Sequence, residues 1–114
     1  MSDCLFCRII AGEIPVTPVY QDESLIVIKD INPQAPMHVL VIPKRHIASL
    51  NELGPEHDGL IGAMFRRAAA VAKPHGYDVR GYRTVFNTGP EAGQSVFHIH
   101  LHVLAGRSLS WPPG

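Results

Sequence analysis

Three histidines spaced two residues apart, His98, His100 and His102, sit in Val96-Phe97-His98-Ile99-His100-Leu101-His102-Val103-Leu104. A strand sends alternate side chains to opposite faces, so this spacing predicts three imidazoles on one face. Phe97, Ile99, Leu101 and Val103 then pack on the other. With seven histidines in 114 residues, chance yields such a run roughly 0.03 times. Thr, Ser or Lys would serve a merely polar face without three titrating groups. Interleaving with core residues excludes a purification tag.

Two chemistries suit the pattern. Imidazole is a common metal ligand, but a metal held by i, i+2 and i+4 of one strand has no acidic or water-activating group nearby in sequence. A neutral imidazole is also a good nucleophile at pH 7 and can attack phosphorus to give a covalent intermediate. His100, the middle residue, is flanked on both sides by potential partners. The preceding segment Asn87-Thr88-Gly89-Pro90-Glu91-Ala92-Gly93-Gln94-Ser95 suits phosphoryl chemistry. Gly89 and Gly93 let backbone N–H groups approach a phosphate, and Ser95 adds a hydroxyl. By itself such a loop is more often only a hairpin turn.

Cys4 and Cys7 are the only cysteines. A C-x-x-C pair in a reducing compartment suggests a metal or redox role more than a structural disulfide. A small buried apolar pair is the alternative.

The elements that must position these groups are legible from patterning. Asp3 as N-cap and Gly12 as C′ bound a short helix over residues 4–11, with Cys4 and Cys7 one turn apart. Leu25 to Lys29 and His38 to Ile42 are strand-like, with the Pro-bounded loop 32–36 between them and Pro43 closing the second. Gly54-Pro55-Glu56 opens a long helix striped by Leu60, Ile61, Met64, Ala68, Val71 and Ala72, which Pro74 and Gly76 stop. Tyr82 to Phe86 and Val96 to Leu104 are two further strands. Strands at both ends of one long helix, without regular alternation, predict an α+β domain with a mostly antiparallel sheet.

Ten Lys plus Arg balance ten Asp plus Glu, so no basic field exists to attract nucleic acid or anionic lipid. Small-molecule binding is favoured over polymer or membrane binding. At 46% hydrophobic residues the chain can build one core, and a single domain over 1–114 is expected. The start of the chain has no leader pattern and no apolar run approaches about 20 residues, predicting a soluble, cytoplasmic protein.

Residues 93–104 resemble the H-x-H-x-H-x-x signature of the histidine triad (HIT) superfamily. The resemblance extends over Cys4-Leu5-Phe6-Cys7-Arg8-Ile9-Ile10, Asp30 to Pro36, His38 to His46 and Trp111-Pro112-Pro113-Gly114. It is similar to the Hint branch, the purine nucleoside phosphoramidases. That likeness implies a HIT-like fold with a five-stranded sheet, one long and one short helix, and a homodimer whose sheets join into ten strands. It implies a hydrolase cleaving the P–N bond of purine nucleoside 5′-phosphoramidates through a nucleotidyl-histidine. His100 would be the nucleophile. His102 would contact phosphate and leaving group, Ser95 would help protonate the amine, and His38 would support the triad from a neighbouring strand.

The resemblance further implies that Asp30 binds the ribose hydroxyls and that Ile14, Ile28 and Ile31 form the base pocket, although core packing explains isoleucines equally well. Asn87, Gly93, Gln94 and Val96 match the phosphate site, and Trp111 is a specificity candidate reaching the partner's site. In zinc-bearing relatives Cys4, Cys7, His46 and His98 match the four ligands of a structural Zn2+, with no cofactor in the chemistry itself. The proline of Lys73-Pro74-His75-Gly76 departs from the pattern where the helix usually continues. Dinucleoside polyphosphate hydrolysis and non-catalytic nucleotide binding are the rival functions. Uridylyl transfer is disfavoured because that branch carries glutamine at the position of His102.

Overall fold

A computed structural model describes residues 3–114. Five strands, β1 (Tyr20–Gln21), β2 (Leu25–Lys29), β3 (Met37–Pro43), β4 (Tyr82–Val85) and β5 (Leu101–Ala105), form one sheet in the order β1-β2-β3-β5-β4, with every pairing antiparallel. The expected α+β, five-stranded architecture is the observed one. A short helix α1 (Leu5–Ile10) covers one face and the long helix α2 (Asp58–Ala72) the other.

The apolar pattern explains this layering. In β2 four consecutive residues are buried, so the strand is covered on both faces. Leu25 and Val27 join Val39, Val41, Ile99, Leu101 and Val103 in a core with Met64 and Ala68 of α2. Ile26 and Ile28 join Leu40 and Ile42 in a second core under Phe6 and Ile9 of α1. Strands β2 and β3 therefore each serve two cores through their period of two.

Two local expectations are corrected. The cap of α1 is Cys4 rather than Asp3: Cys4 is extended and its Sγ accepts the Cys7 N–H at 3.4 Å. The long helix ends at Ala72, ahead of Pro74 as expected. The chain tightens into a 3-10 turn over Lys73–His75, in which proline's missing N–H is not needed. It breaks at Gly76, whose φ of 78° is left-handed, and resumes for one turn as α3 (Tyr77–Arg80). Strand β1, only two residues long, carries no periodicity to read. Asp22 makes its turn into β2 by accepting the Ser24 and Leu25 N–H groups at 2.8 Å.

The second correction concerns the histidine segment. Its ladder begins at Leu101, not Val96. Pairing of β3 with β5 ends at Val41 opposite Leu101, and Pro43 beyond has no N–H with which to extend it. Side-chain bonds replace the ladder there. The buried His98 ring donates from Nε2 to the Pro43 carbonyl at 2.7 Å, and the Ile99 N–H reaches the Ile47 carbonyl at 2.8 Å. The alternation nevertheless persists, with Ile99, Leu101 and Val103 in the α2 core. Phe97 does not join them; it is exposed. Among the described residues no helix is long and apolar enough to cross a membrane.

Candidate functional site

His102 lies opposite Leu40 in the β3/β5 ladder, and His38 is two residues from Leu40 on the same face. That diagonal brings His38 Nε2 to 2.9 Å from His102 Nδ1. The backbone N–H of Gln34 donates to His38 Nδ1 at 3.0 Å. A backbone N–H can only donate, so Nδ1 of neutral His38 is bare and its proton sits on Nε2. That proton is donated to His102 Nδ1, which leaves the His102 proton on Nε2. The relay thus fixes two tautomers.

His100 is fixed from the other side. Its Nδ1–H donates to the His98 carbonyl at 2.8 Å, so Nε2 carries a bare lone pair. The edge of Phe6 meets the His100 ring with centroids 4.9 Å apart, and the His100 and His102 centroids are 5.0 Å apart. Burial holds His100 below the ordinary histidine range. The same desolvation, reinforced by neighbouring His100 and His38, pushes His102 down to about 4. Both rings are therefore neutral near pH 7.

These two rings face a cleft of about 310 Å³ lined by Leu5, Phe6, Lys29, Asp30, Ile31, Leu40, Asn87, Gly93, Ser95, Val96, His100 and His102. Seven residues singled out from the sequence thus converge with Ser95 on one cavity: Asp30, Ile31, Asn87, Gly93, Val96, His100 and His102. Asp30 forms an Asx turn, accepting the Asn32 N–H at 2.8 Å, and its other oxygen stands 3.4 Å from His38 Nε2. His38 lies behind His102 and borders a separate cavity on the far side of Asp30. A more open cleft of about 490 Å³, beside Cys4 and His46, shares Leu5, Ser95 and Val96 with the triad cleft. It touches none of the triad rings, and the smaller cleft is the chemically equipped one.

Other expected contacts lie elsewhere. Ile28 is buried in the core under α1, and Ile14 packs at that core's edge. Gln94 is buried, and its amide is spent on backbone: it accepts the Gly89 N–H at 3.0 Å and donates to the Ala48 and Val96 carbonyls at 2.8 and 3.2 Å. It shapes the loop and does not line the cleft. Trp111, expected to reach the partner's site, is 82% exposed and lies outside this chain's own cleft. Sequence reasoning missed Leu5, Phe6, Lys29 and Leu40. For Lys29 a signal existed, because it is the single charged residue ending an apolar strand and it precedes Asp30.

The second cluster is the metal-type set. Cys4, Cys7, His46 and His98 bring their ligand atoms within 4.8 Å of one another. Cys4 Sγ to His98 Nδ1 is 3.4 Å, Cys7 Sγ to His46 Nδ1 3.3 Å, Cys7 Sγ to His98 Nδ1 3.6 Å and His46 Nδ1 to His98 Nδ1 3.1 Å. Zinc at about 2.3 Å from sulfur and 2.0–2.1 Å from nitrogen sets tetrahedral ligand atoms roughly 3.3–3.8 Å apart. The three sulfur–nitrogen separations fall in that range, and the His46–His98 pair at 3.1 Å lies just below it. The bond from His98 Nε2 to the Pro43 carbonyl also leaves Nδ1 bare and aimed into the cluster, as in a metal-bound histidine whose other ring N–H is held by a backbone carbonyl.

Comparison with known proteins agrees with this geometry. Residues 3–110 match the family model described as scavenger mRNA decapping enzyme C-term binding. An uncharacterized HIT-like protein of Synechococcus elongatus is 50% identical over 99% of this chain and 98% of its own length. A 14 kDa zinc-binding protein of Zea mays is 46% identical over 99% of this chain and 89% of its own. The crystal structure of a HIT family hydrolase from Legionella pneumophila superposes with a TM-score of 0.96 at 47% identity, covering 98% of this chain and 100% of that one. Triad, sheet and relatives agree, and the chain belongs to the histidine triad family.

Proposed function

We propose that this protein is a hydrolase that cleaves the P–N bond of purine nucleoside 5′-phosphoramidates, with His100 as nucleophile. The observation that carries this reading is the hydrogen bond from His100 Nδ1–H to the His98 carbonyl. It turns a bare, neutral Nε2 toward the cleft. The similarity to a HIT family hydrolase supports it.

In the first step His100 Nε2 bonds to phosphorus while the P–N bond breaks. The departing nitrogen takes a proton from the Ser95 hydroxyl, which solvent resupplies because Ser95 is exposed. His102 Nε2–H, set by the relay from Gln34 through His38, hydrogen-bonds the phosphoryl oxygens as charge builds there. The Gly93 backbone and Asn87 flank the same position. Asp30 and Ile31 at the lip of the cleft receive the ribose and base. In the second step water attacks phosphorus, the P–N bond to His100 breaks, the proton of water returns to solvent, and the nucleoside monophosphate leaves.

Cys4, Cys7, His46 and His98 would hold Zn2+ in a structural role, which the likeness to plant 14 kDa zinc-binding proteins supports. The two steps above use only the chain's own residues. The edge strand β4, with exposed Tyr82 and, on α2, exposed Phe65, offers an open ladder for a second copy, giving the homodimer with a ten-stranded sheet. Residues 1–114 would constitute one domain.

The test is incubation with adenosine 5′-phosphoramidate. Release of AMP and ammonia by the wild type, with a trapped adenylylated His100 after rapid quench, is the expected result. Turnover no faster than that of His100→Ala would overturn the reading. Cleavage of a diadenosine polyphosphate in preference to the phosphoramidate would redirect it to the rival hydrolase.

A further inference from the structure

Residue 98 belongs to both clusters at once. Its ring is aimed into the Cys4, Cys7 and His46 set through Nδ1, while its carbonyl accepts the Nδ1–H of His100. A second bridge runs through α1. Phe6 lies between the two cysteines, and its ring edge meets both His100, at 4.9 Å, and His98, at 5.8 Å. Leu5 and Phe6 are also walls of the triad cleft. The segment carrying this link, residues 98–100, has left the sheet ladder, so no strand pairing holds the His98 carbonyl in place. Its restraints are the ring bond to Pro43, the Ile99 bond to Ile47 and the cluster itself.

We propose that the Cys4/Cys7/His46/His98 centre positions the nucleophile: by fixing the plane of the 98–99 peptide and seating Phe6, it sets the tautomer and rotation of the His100 ring. The cysteines and His46 are thus positioning residues for the reaction, a role beyond pinning the N-terminal helix. The proposal rests on the reading of His100 as nucleophile for its kinetic arm only; its spectroscopic arm is independent of any substrate.

The arrangement carries a physical expectation. Neutral imidazole in water distributes its proton between both nitrogens, and a single well-placed acceptor selects one form. Release of the cluster frees the 98–99 peptide to rotate and lets the His100 proton migrate to Nε2. Nε2 is then no longer the bare atom.

The experiment follows the His100 ring by long-range ¹H–¹⁵N correlation while the chelator-treated protein is titrated with Zn2+, alongside kcat, KM and Tm. The expected result is a shift of His100 from a tautomer mixture to the Nδ1–H form in step with metal occupancy. Over the same titration kcat should rise at least about tenfold while KM changes less than about threefold, since orientation acts on the reaction step more than on ground-state binding. An unchanged His100 tautomer, with Tm alone following the metal, overturns the proposal. Should the metal-free protein unfold, Phe6→Leu keeps all four ligands and tests the same link. It should retain the metal while its His100 resonances move and kcat drops severalfold. A metal-loaded Phe6→Leu protein with wild-type His100 resonances and kcat would refute the coupling. A wild type that shifts tautomer but lacks turnover would leave the coupling intact and overturn the substrate reading instead.

Discussion

The two histidine clusters share one short stretch of chain but are held by opposite means. His102 and His38 stand on paired strands, so their ring separation follows from ladder register and the Leu40 to His102 pairing. His98 and His46 stand on irregular backbone, beside a helix of six residues, and converge through side-chain bonds to each other and to Pro43. Register is insensitive to any single side chain, whereas a cluster of ligands depends on each member. Loss of a residue should therefore act on chemistry with the fold intact at one end, and on integrity together with chemistry at the other. His100 sits at the boundary.

The largest expected effect tests that division. His100→Ala should lower kcat on a nucleoside phosphoramidate by on the order of 10³-fold or more, as loss of a nucleophile does, with Tm nearly unchanged. A collapse in Tm would show that His100 is structural and erase the contrast. At the other end, Cys4→Ser should weaken metal binding at least 10–100-fold. That corresponds to about 1.4–2.8 kcal/mol of linked stability, measurable by metal titration and thermal melts. Equal metal content and equal Tm in the variant would remove the cluster as a structural element.

The ladder end has a pH signature of its own. Burial keeps His102 neutral in the folded protein down to about 4, whereas the unfolded chain takes its proton near 6.5. Between those values the unfolded state binds more protons, so this contribution to stability is intact above about 6.5 and is lost as pH falls toward 4. Chemical denaturation across that window should show a shallower loss in His102→Gln. An identical slope in both proteins would mean that His102 titrates normally in the fold. The smallest effect belongs to the loop between the ends. Gln94→Ala removes one acceptor of the Gly89 N–H and donors to two carbonyls, a cost of about 1–3 kcal/mol. Because Gly93 and Ser95 flank it, KM for the phosphoramidate should also rise, whereas a stability loss with unaltered KM would separate the loop from the cleft.

How much of this was legible beforehand follows from the same contrast. Periodic segments announced themselves: the buried run of β2, the stripe of α2 and the alternation across His98, His100 and His102 all hold. Long-range convergence did not. The likeness to zinc-bearing relatives indicated His46 and His98 beside the cysteines, but nothing in their spacing, 39 residues from Cys7 to His46 and 94 from Cys4 to His98, would have paired them. Phe6 and Leu40 look like ordinary core residues in sequence, and their place at the cleft depends on how α1 docks. For Gln94 the family resemblance implies a nucleotide contact, whereas in the fold its amide hydrogen-bonds to the backbone of Gly89, Ala48 and Val96. Pro43 closes its strand, as the sequence indicates. That it also supplies the acceptor orienting His98 is a tertiary fact.

Ile31 is a different kind of residue from its neighbours. It lies at the rim of the triad cleft with its side chain fully exposed, next to the Asx turn in which the Asp30 carboxylate accepts the Asn32 N–H. Such a side chain contributes almost nothing to folding. The rim can therefore be exchanged by mutation without cost to the scaffold or to the rings behind it, which makes this position an inexpensive handle through which evolution, or a protein engineer, could retune which molecules enter while the chemistry stays as it is.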